Sequence, residues 1–216
     1  MLYNLYNEIG FSVCHQLPSR SIFIDGVKMP VDARMTGMFV GFVITIVFLL
    51  LLYSRASSMP PRNIIIIGIV SIAFLAFDGI TSYAHLRETN NVIRLSTGFP
   101  VGIFMALMLQ SAFNDTKTDA TEQKVLSSTK HQIWLLAITL VTFALIIGRF
   151  SFLKYVLPPL IIAGVISSFL IVNLTVFNMI SSKRPVNLLF SSAMVALELG
   201  AAYKLHSLVL PYISNV

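Results

Sequence analysis

Residues 39–52, Phe39-Val40-Gly41-Phe42-Val43-Ile44-Thr45-Ile46-Val47-Phe48-Leu49-Leu50-Leu51-Leu52, contain no charged side chain. Extended to 36–53, the run approaches the roughly 20 residues with which a helix crosses the hydrocarbon core of a bilayer. Lipid offers backbone N–H and C=O groups no partner, so a helix, which pairs them internally, is forced on such a stretch. Working outward, five more apolar blocks follow, at 63–84, 97–113, 132–148, 155–180 and 188–212, the last being the least apolar. The expected fold is all-α, a polytopic transmembrane bundle of six spans. The expected location is the cell membrane, multi-pass.

Composition points the same way. The 216 residues are 56% hydrophobic and 11% charged, against about 25% charged in soluble domains. A net charge of +6 would suggest nucleic acid on a soluble protein. Here Lys and Arg stand singly between apolar blocks, where headgroup anchoring accounts for them. Membrane lipids, not nucleic acid, are therefore the expected partners. A single cysteine excludes an intrachain disulfide. Ser57-Ser58-Met59-Pro60-Pro61 stops the first span, and Pro185 stands ahead of the sixth. The polar stretch 114–130 is expected to be a mobile loop, and Asn114-Asp115-Thr116 matches a glycosylation acceptor.

Residues 1–35 are read as a polar segment packed on the bundle formed by 36–216. Leu2, Leu5, Tyr6, Ile9 and Val13 fall near one face of a short amphipathic helix suited to the membrane interface. Asp25-Gly26 suits a tight hairpin turn within 22–27, which Pro30 is expected to end. This segment carries Cys14, His15, Arg20, Asp32 and Arg34. A second polar cluster closes the second span. Asp78, Thr81, Ser82 and His85 are spaced for one helical face, and Arg87, Arg94 and Thr97 follow. An acid inside a span is costly and needs a partner; Arg34 and Arg94 are the expected partners of Asp78. The alternation of spans brings both clusters to one face of the membrane. Glu198 is a second acid within a span, with Asn173 as its expected hydrogen-bond partner.

These residue types suit more than one chemistry. Guanidinium forks on Arg20, Arg34, Arg87 and Arg94 match phosphate or carboxylate, free or on lipid headgroups. Cys14 and His15 with Asp32 suit zinc, and with Met35 copper, although adjacent Cys and His are not a usual ligand spacing. A Cys14 nucleophile assisted by His15 is a further option.

The run Cys14-His15-Gln16-Leu17-Pro18-Ser19-Arg20-Ser21, followed by Pro30-Val31-Asp32-Ala33-Arg34-Met35-Thr36-Gly37, resembles an uncharacterised family of small prokaryotic membrane proteins, domain of unknown function 2085. The family pattern is Cys-His-Gln-x-Pro-x-Arg-Ser, then Pro-x-Cys-x-Arg-Cys-x-Gly. Asp78-Gly79, Arg87, Asn90-Asn91, Arg94 and Thr97-Gly98 resemble its other signature. The resemblance covers about the first half of the chain and implies a prokaryotic, archaeal origin without a particular activity. Where the family has two further cysteines this chain has Asp32 and Met35, so a three-thiol site or dithiol redox cycle cannot operate. The resulting expectation is a non-catalytic integral membrane protein, an accessory subunit of a membrane complex with a polar site on one face. The alternatives are a membrane-embedded metal-binding protein or enzyme using Cys14, His15, Asp32 and Asp78, and a small anion or ion transporter using Asp78, Arg94 and Glu198.

Overall fold

A computed structural model describes residues 2–84, 86–181 and 183–213, the side chains of 210–213 excepted. The chain runs through α1 (Leu2–Val13), a 3-10 turn (Pro18–Arg20), β1 (Ser21–Ile24), β2 (Val27–Asp32), α2 (Ala33–Leu52), β3 (Ala56–Ser58) and α3 (Arg62–Tyr83). It continues with α4 (Asn91–Asp115), β4 (Thr121–Lys124), α5 (Thr129–Ile147), α6 (Leu153–Ile180) and α7 (Arg184–Ile213). Among the described residues six helices, α2 to α7, are long and apolar enough to cross a membrane. The architecture is the all-α, six-span bundle that the apolar blocks demand.

Two helices begin well before their apolar blocks because side chains outside the lipid cap them. Asp32 Oδ1 accepts from Met35 N at 2.8 Å and starts α2 at Ala33 rather than 36. Asn90 Oδ1 accepts from Ile93 N at 2.9 Å and starts α4 at Asn91, six residues ahead of the expected 97. Such caps satisfy first-turn N–H groups that have no intrahelical partner. Pro185 likewise lies within the first turn of α7 rather than ahead of the helix; proline lacks only an N–H that is unpaired there in any case.

The pair α2–α4 forms the centre, and α2 is the most buried of the six spans while α3 is the least. Glycines let the two backbones touch. A methyl group on Gly98 would lie 2.1 Å from Arg34 O, and one on Gly102 1.9 Å from Met38 O. From the other side, a methyl on Gly37 would lie 2.5 Å from Leu95 O. Without a hydrophobic drive between helices in lipid, this close approach is what holds spans together. Phe39, Val40, Leu95, Phe99, Leu157, Ile161 and Val165 fill the adjoining core, together with Ile24, Met29 and Val31 of the hairpin.

Three local expectations are corrected. Pro30 does not end the hairpin: β2 runs through it to Asp32, which a two-stranded ribbon permits because each strand has a free edge. The turn itself is the expected one, with Asp25 at φ 48° and Gly26 at φ 78°. The stretch 114–130 is not a free loop, since β4 pairs in parallel with β3 and Val125 and Leu126 are buried. Asn114 is fully buried and its amide donates to Ala56 O at 2.8 Å, so in the folded chain it offers no glycosylation acceptor.

Candidate functional site

The starts of α2, α4 and α6 and the end of α3 lie at the hairpin end of the bundle, where α1 packs on α6, α7 and β2. Asp78, one turn before the end of α3, is 1% exposed. Its carboxylate accepts from Arg34 Nη2 and Arg87 Nη2, and from Thr89 Oγ1 at 3.0 Å. Burying a carboxylate is tolerable only with such pairing and additional hydrogen bonds. Of the two expected partners, Arg34 is used and Arg94 is not. Arg94 instead donates from Nη1 to Asn91 Oδ1 at 3.1 Å, while Asn91 Nδ2 donates to Ser21 O at 2.9 Å and ties α4 to the hairpin. Thr97 is spent on its own helix, donating to Arg94 O at 3.0 Å. Of the supposed α3 face, Asp78 and Ser82 are buried, Thr81 bonds to Phe77 O, and His85 lies outside the described residues.

Cys14, His15, Arg20, Asp32 and Arg34, together with Tyr83, line one cavity of about 150 Å³ at this end. The Arg20 guanidinium stands over the Tyr83 ring, 4.2 Å from its centroid, a favourable cation–π geometry. Arg34 has its Nε buried without a hydrogen-bond partner among the described residues. Asp32 Oδ1 is held by its capping bond, and the Cys14 thiol is a side-chain partner of the same carboxylate.

The thiol is a structural acceptor. Cys14 Sγ accepts from Asp32 N at 3.2 Å and Gln16 N at 3.4 Å, stitching the chain before the 3-10 turn to the base of α2. Burial first, then the neighbouring Asp32 charge, pushes the Cys14 pKa up to about 12. A thiol held neutral in this way is a poor nucleophile and a poor metal ligand. As the chain has one cysteine, the consequence is directly measurable. Native protein in mild detergent at pH 8 is expected to resist maleimide or iodoacetamide for hours and to label within minutes once unfolded. Rapid native labelling would contradict this environment.

His15 is held near neutrality by a different route. Partial burial, then neighbouring His206, then Arg20 lower its pKa, against an upward pull from Asp32. Its ring stands edge-on to His206 of α7 with centroids 4.3 Å apart. His206 in turn stacks on Phe11 at 4.4 Å and pairs through Nδ1 with Phe11 O at 2.6 Å. Gln16, at φ 53°, donates from Nε2 to Asn7 O at 2.6 Å and Pro30 O at 2.7 Å. Among the described residues no three His, Cys, Asp or Glu side chains gather around a common point. Cys14, His15 and Asp32 share the cavity without forming a three-donor set. Thr89 and His206 join the site although nothing in their local sequence signals it, because their partners lie 11 and 195 residues away, while Gln16 stands in the Cys-His-Gln motif. The second acid is separate: Asn173 Nδ2 donates to Glu198 Oε2 at 2.9 Å between α6 and α7.

The family model described as "Predicted membrane protein (DUF2085)" matches residues 14–108. An uncharacterized protein of Methanocaldococcus jannaschii is 34% identical over 113 residues, 52% of this chain and 68% of that relative. The chain belongs to this family. An uncharacterized protein of Methanothermobacter thermautotrophicus is 29% identical over 96 residues, 44% of this chain and 83% of that relative. No solved structure matches. The family span opens on Cys14 and closes within α4. It contains Asp78, all three of its donors, and the glycine contact of α2 with α4. His206 lies outside it, so this wall of the site comes from the part of the chain beyond the family match.

Proposed function

We infer that this family member is a non-catalytic protein of the cell membrane and serves as an accessory subunit, with the polar end as its recognition face and α7 as its docking helix. The observation that carries the reading is Gly200. In the spanning helices Gly37, Gly41, Gly68, Gly98, Gly102 and Gly164 would each place a methyl within 3.0 Å of a neighbouring group, whereas at Gly200 nothing among the described residues lies within 4 Å. Ser192, Ala196 and Gly200 are exposed at four-residue spacing, followed by exposed Lys204. A small-residue stripe is how spanning helices approach each other closely. The chemistry of the polar end supports the non-catalytic part. The Asp78 carboxylate is saturated by three donors and the Cys14 thiol is held neutral, so neither of these two is poised as a base or nucleophile.

The test is the native mass of the complex, obtained at natural expression level in mild detergent. A second chain is expected in fixed stoichiometry, and Gly200→Leu is expected to release it while leaving this chain folded. A monodisperse monomer, or a complex indifferent to Gly200→Leu, overturns the reading.

A further inference from the structure

The cavity beside Arg34 is built for an occupant. It is about 150 Å³, ample for a small ion with a water or two, since a single water needs only about 10–15 Å³ measured this way. Its wall carries Arg20 and Arg34. Guanidinium groups on a cavity wall suit an oxyanion, whose oxygens match their fork of donors. The surrounding charge is net positive. Arg94 lies within the fields of Arg20, Arg34, Asp32 and Asp78, and Arg34 and Arg87 both pair with Asp78. Four guanidinium groups against two carboxylates leave an excess of two positive charges, while Glu88 on the adjoining loop is exposed.

One wall residue has the wrong sign for a bare anion. Asp32 lines the cavity with one oxygen spent on the α2 cap; the Cys14 thiol is a weak donor to the same carboxylate, whose second oxygen keeps acceptor capacity. That oxygen accepts and cannot donate, so it repels a fully ionised oxyanion and suits one that still holds a proton. Phosphate retains at least one proton at neutral pH, and a phosphomonoester, whose second pKa is about 6, is about half protonated near that pH and binds in that form. Sulfate and phosphodiesters retain none.

We propose that this cavity binds a protonated phosphate group, inorganic phosphate or the phosphomonoester headgroup of a lipid, with Arg20 and Arg34 gripping its oxygens and Asp32 accepting a hydrogen bond from its remaining P–OH. Asp32 is thus the specificity residue. The inference rests on reading this end as a recognition site, and it needs no partner subunit.

Calorimetric titration of the full chain in a neutral detergent, with phosphate and sulfate at matched ionic strength, is the direct experiment. Saturable phosphate binding is expected, at least about tenfold tighter than sulfate. Arg20→Gln, which leaves the Asp78 pairing intact, is expected to weaken phosphate about tenfold or more. Asp32→Asn keeps a residue able to cap α2 and is expected to bring phosphate and sulfate within about threefold. A lipid arm uses nanodiscs containing phosphatidic acid or phosphatidylglycerol. Selective retention of phosphatidic acid, lost in Arg20→Gln, assigns the site to a lipid phosphomonoester even where free phosphate is ignored. Absence of saturable binding in both arms, sulfate binding as tightly as phosphate, or indifference to Arg20→Gln overturns the proposal. A monomer that binds phosphate sinks only the subunit reading, and a complex that does not bind it sinks only this one.

Discussion

Asp78→Ala is expected to destabilise the protein by about 3–5 kcal/mol, the usual cost of removing one partner from a buried ion pair. The argument rests on what is left behind. Arg34, with its side chain only 14% exposed, loses its ion-pair partner, and Thr89 loses its acceptor. Arg87 is 41% exposed and is hydrated in the variant, so it adds little. Stability against denaturant in mild detergent reads the effect. Asp78→Leu combined with Arg34→Met removes both charges while keeping volume, and is expected to recover most of the loss. If Asp78→Ala cost less than about 1 kcal/mol, the ion pair would be no more than a surface contact.

Gly98→Leu and Gly102→Leu carry the next largest expected effect, about 3 kcal/mol or more each. Overpacking a core costs about 1–3 kcal/mol when neighbours can adjust. Here the obstruction is a backbone oxygen, Arg34 O in one case and Met38 O in the other, and a carbonyl in a helix cannot turn aside without breaking its own hydrogen bond. The helices must separate, and Arg34 must withdraw with α2 from Asp78. Gly200→Leu is the control, expected within about 0.5 kcal/mol of wild type in the isolated chain. Equal losses at Gly98 and Gly200 would remove the distinction between a filled and an open glycine face.

The spans are legible in sequence because lipid imposes a single demand on about 20 residues at a time. Where helices start is less so, since Asp32 and Asn90 act from outside the lipid, where apolarity carries no signal. Asp78 is conspicuous as an acid in an apolar block, and a nearby Arg34 is the natural counter-charge. That Arg87 joins it, and Arg94 does not, depends on how the chain turns between α3 and α4. The pairing of Thr121–Lys124 with Ala56–Ser58 is invisible for a related reason. The β4 side chains Thr121, Glu122, Gln123 and Lys124 are all exposed, so no alternation of apolar and polar residues marks the strand. The cavity follows from the meeting of the 3-10 turn, the base of α2 and the end of α3, which no local pattern records.

The stacking of Phe11 on His206, with His15 at its edge, joins residues that leave the ribosome far apart in time. Phe11 and His206 are 195 positions apart, so at a synthesis rate of about 5–20 residues per second the first waits on the order of ten seconds or longer for the second. Throughout that interval α1 has no α7 to rest on. Until α7 is made, the apolar face of this amphipathic helix suits the bilayer surface, and its seating against α7 follows only after that span has been synthesised.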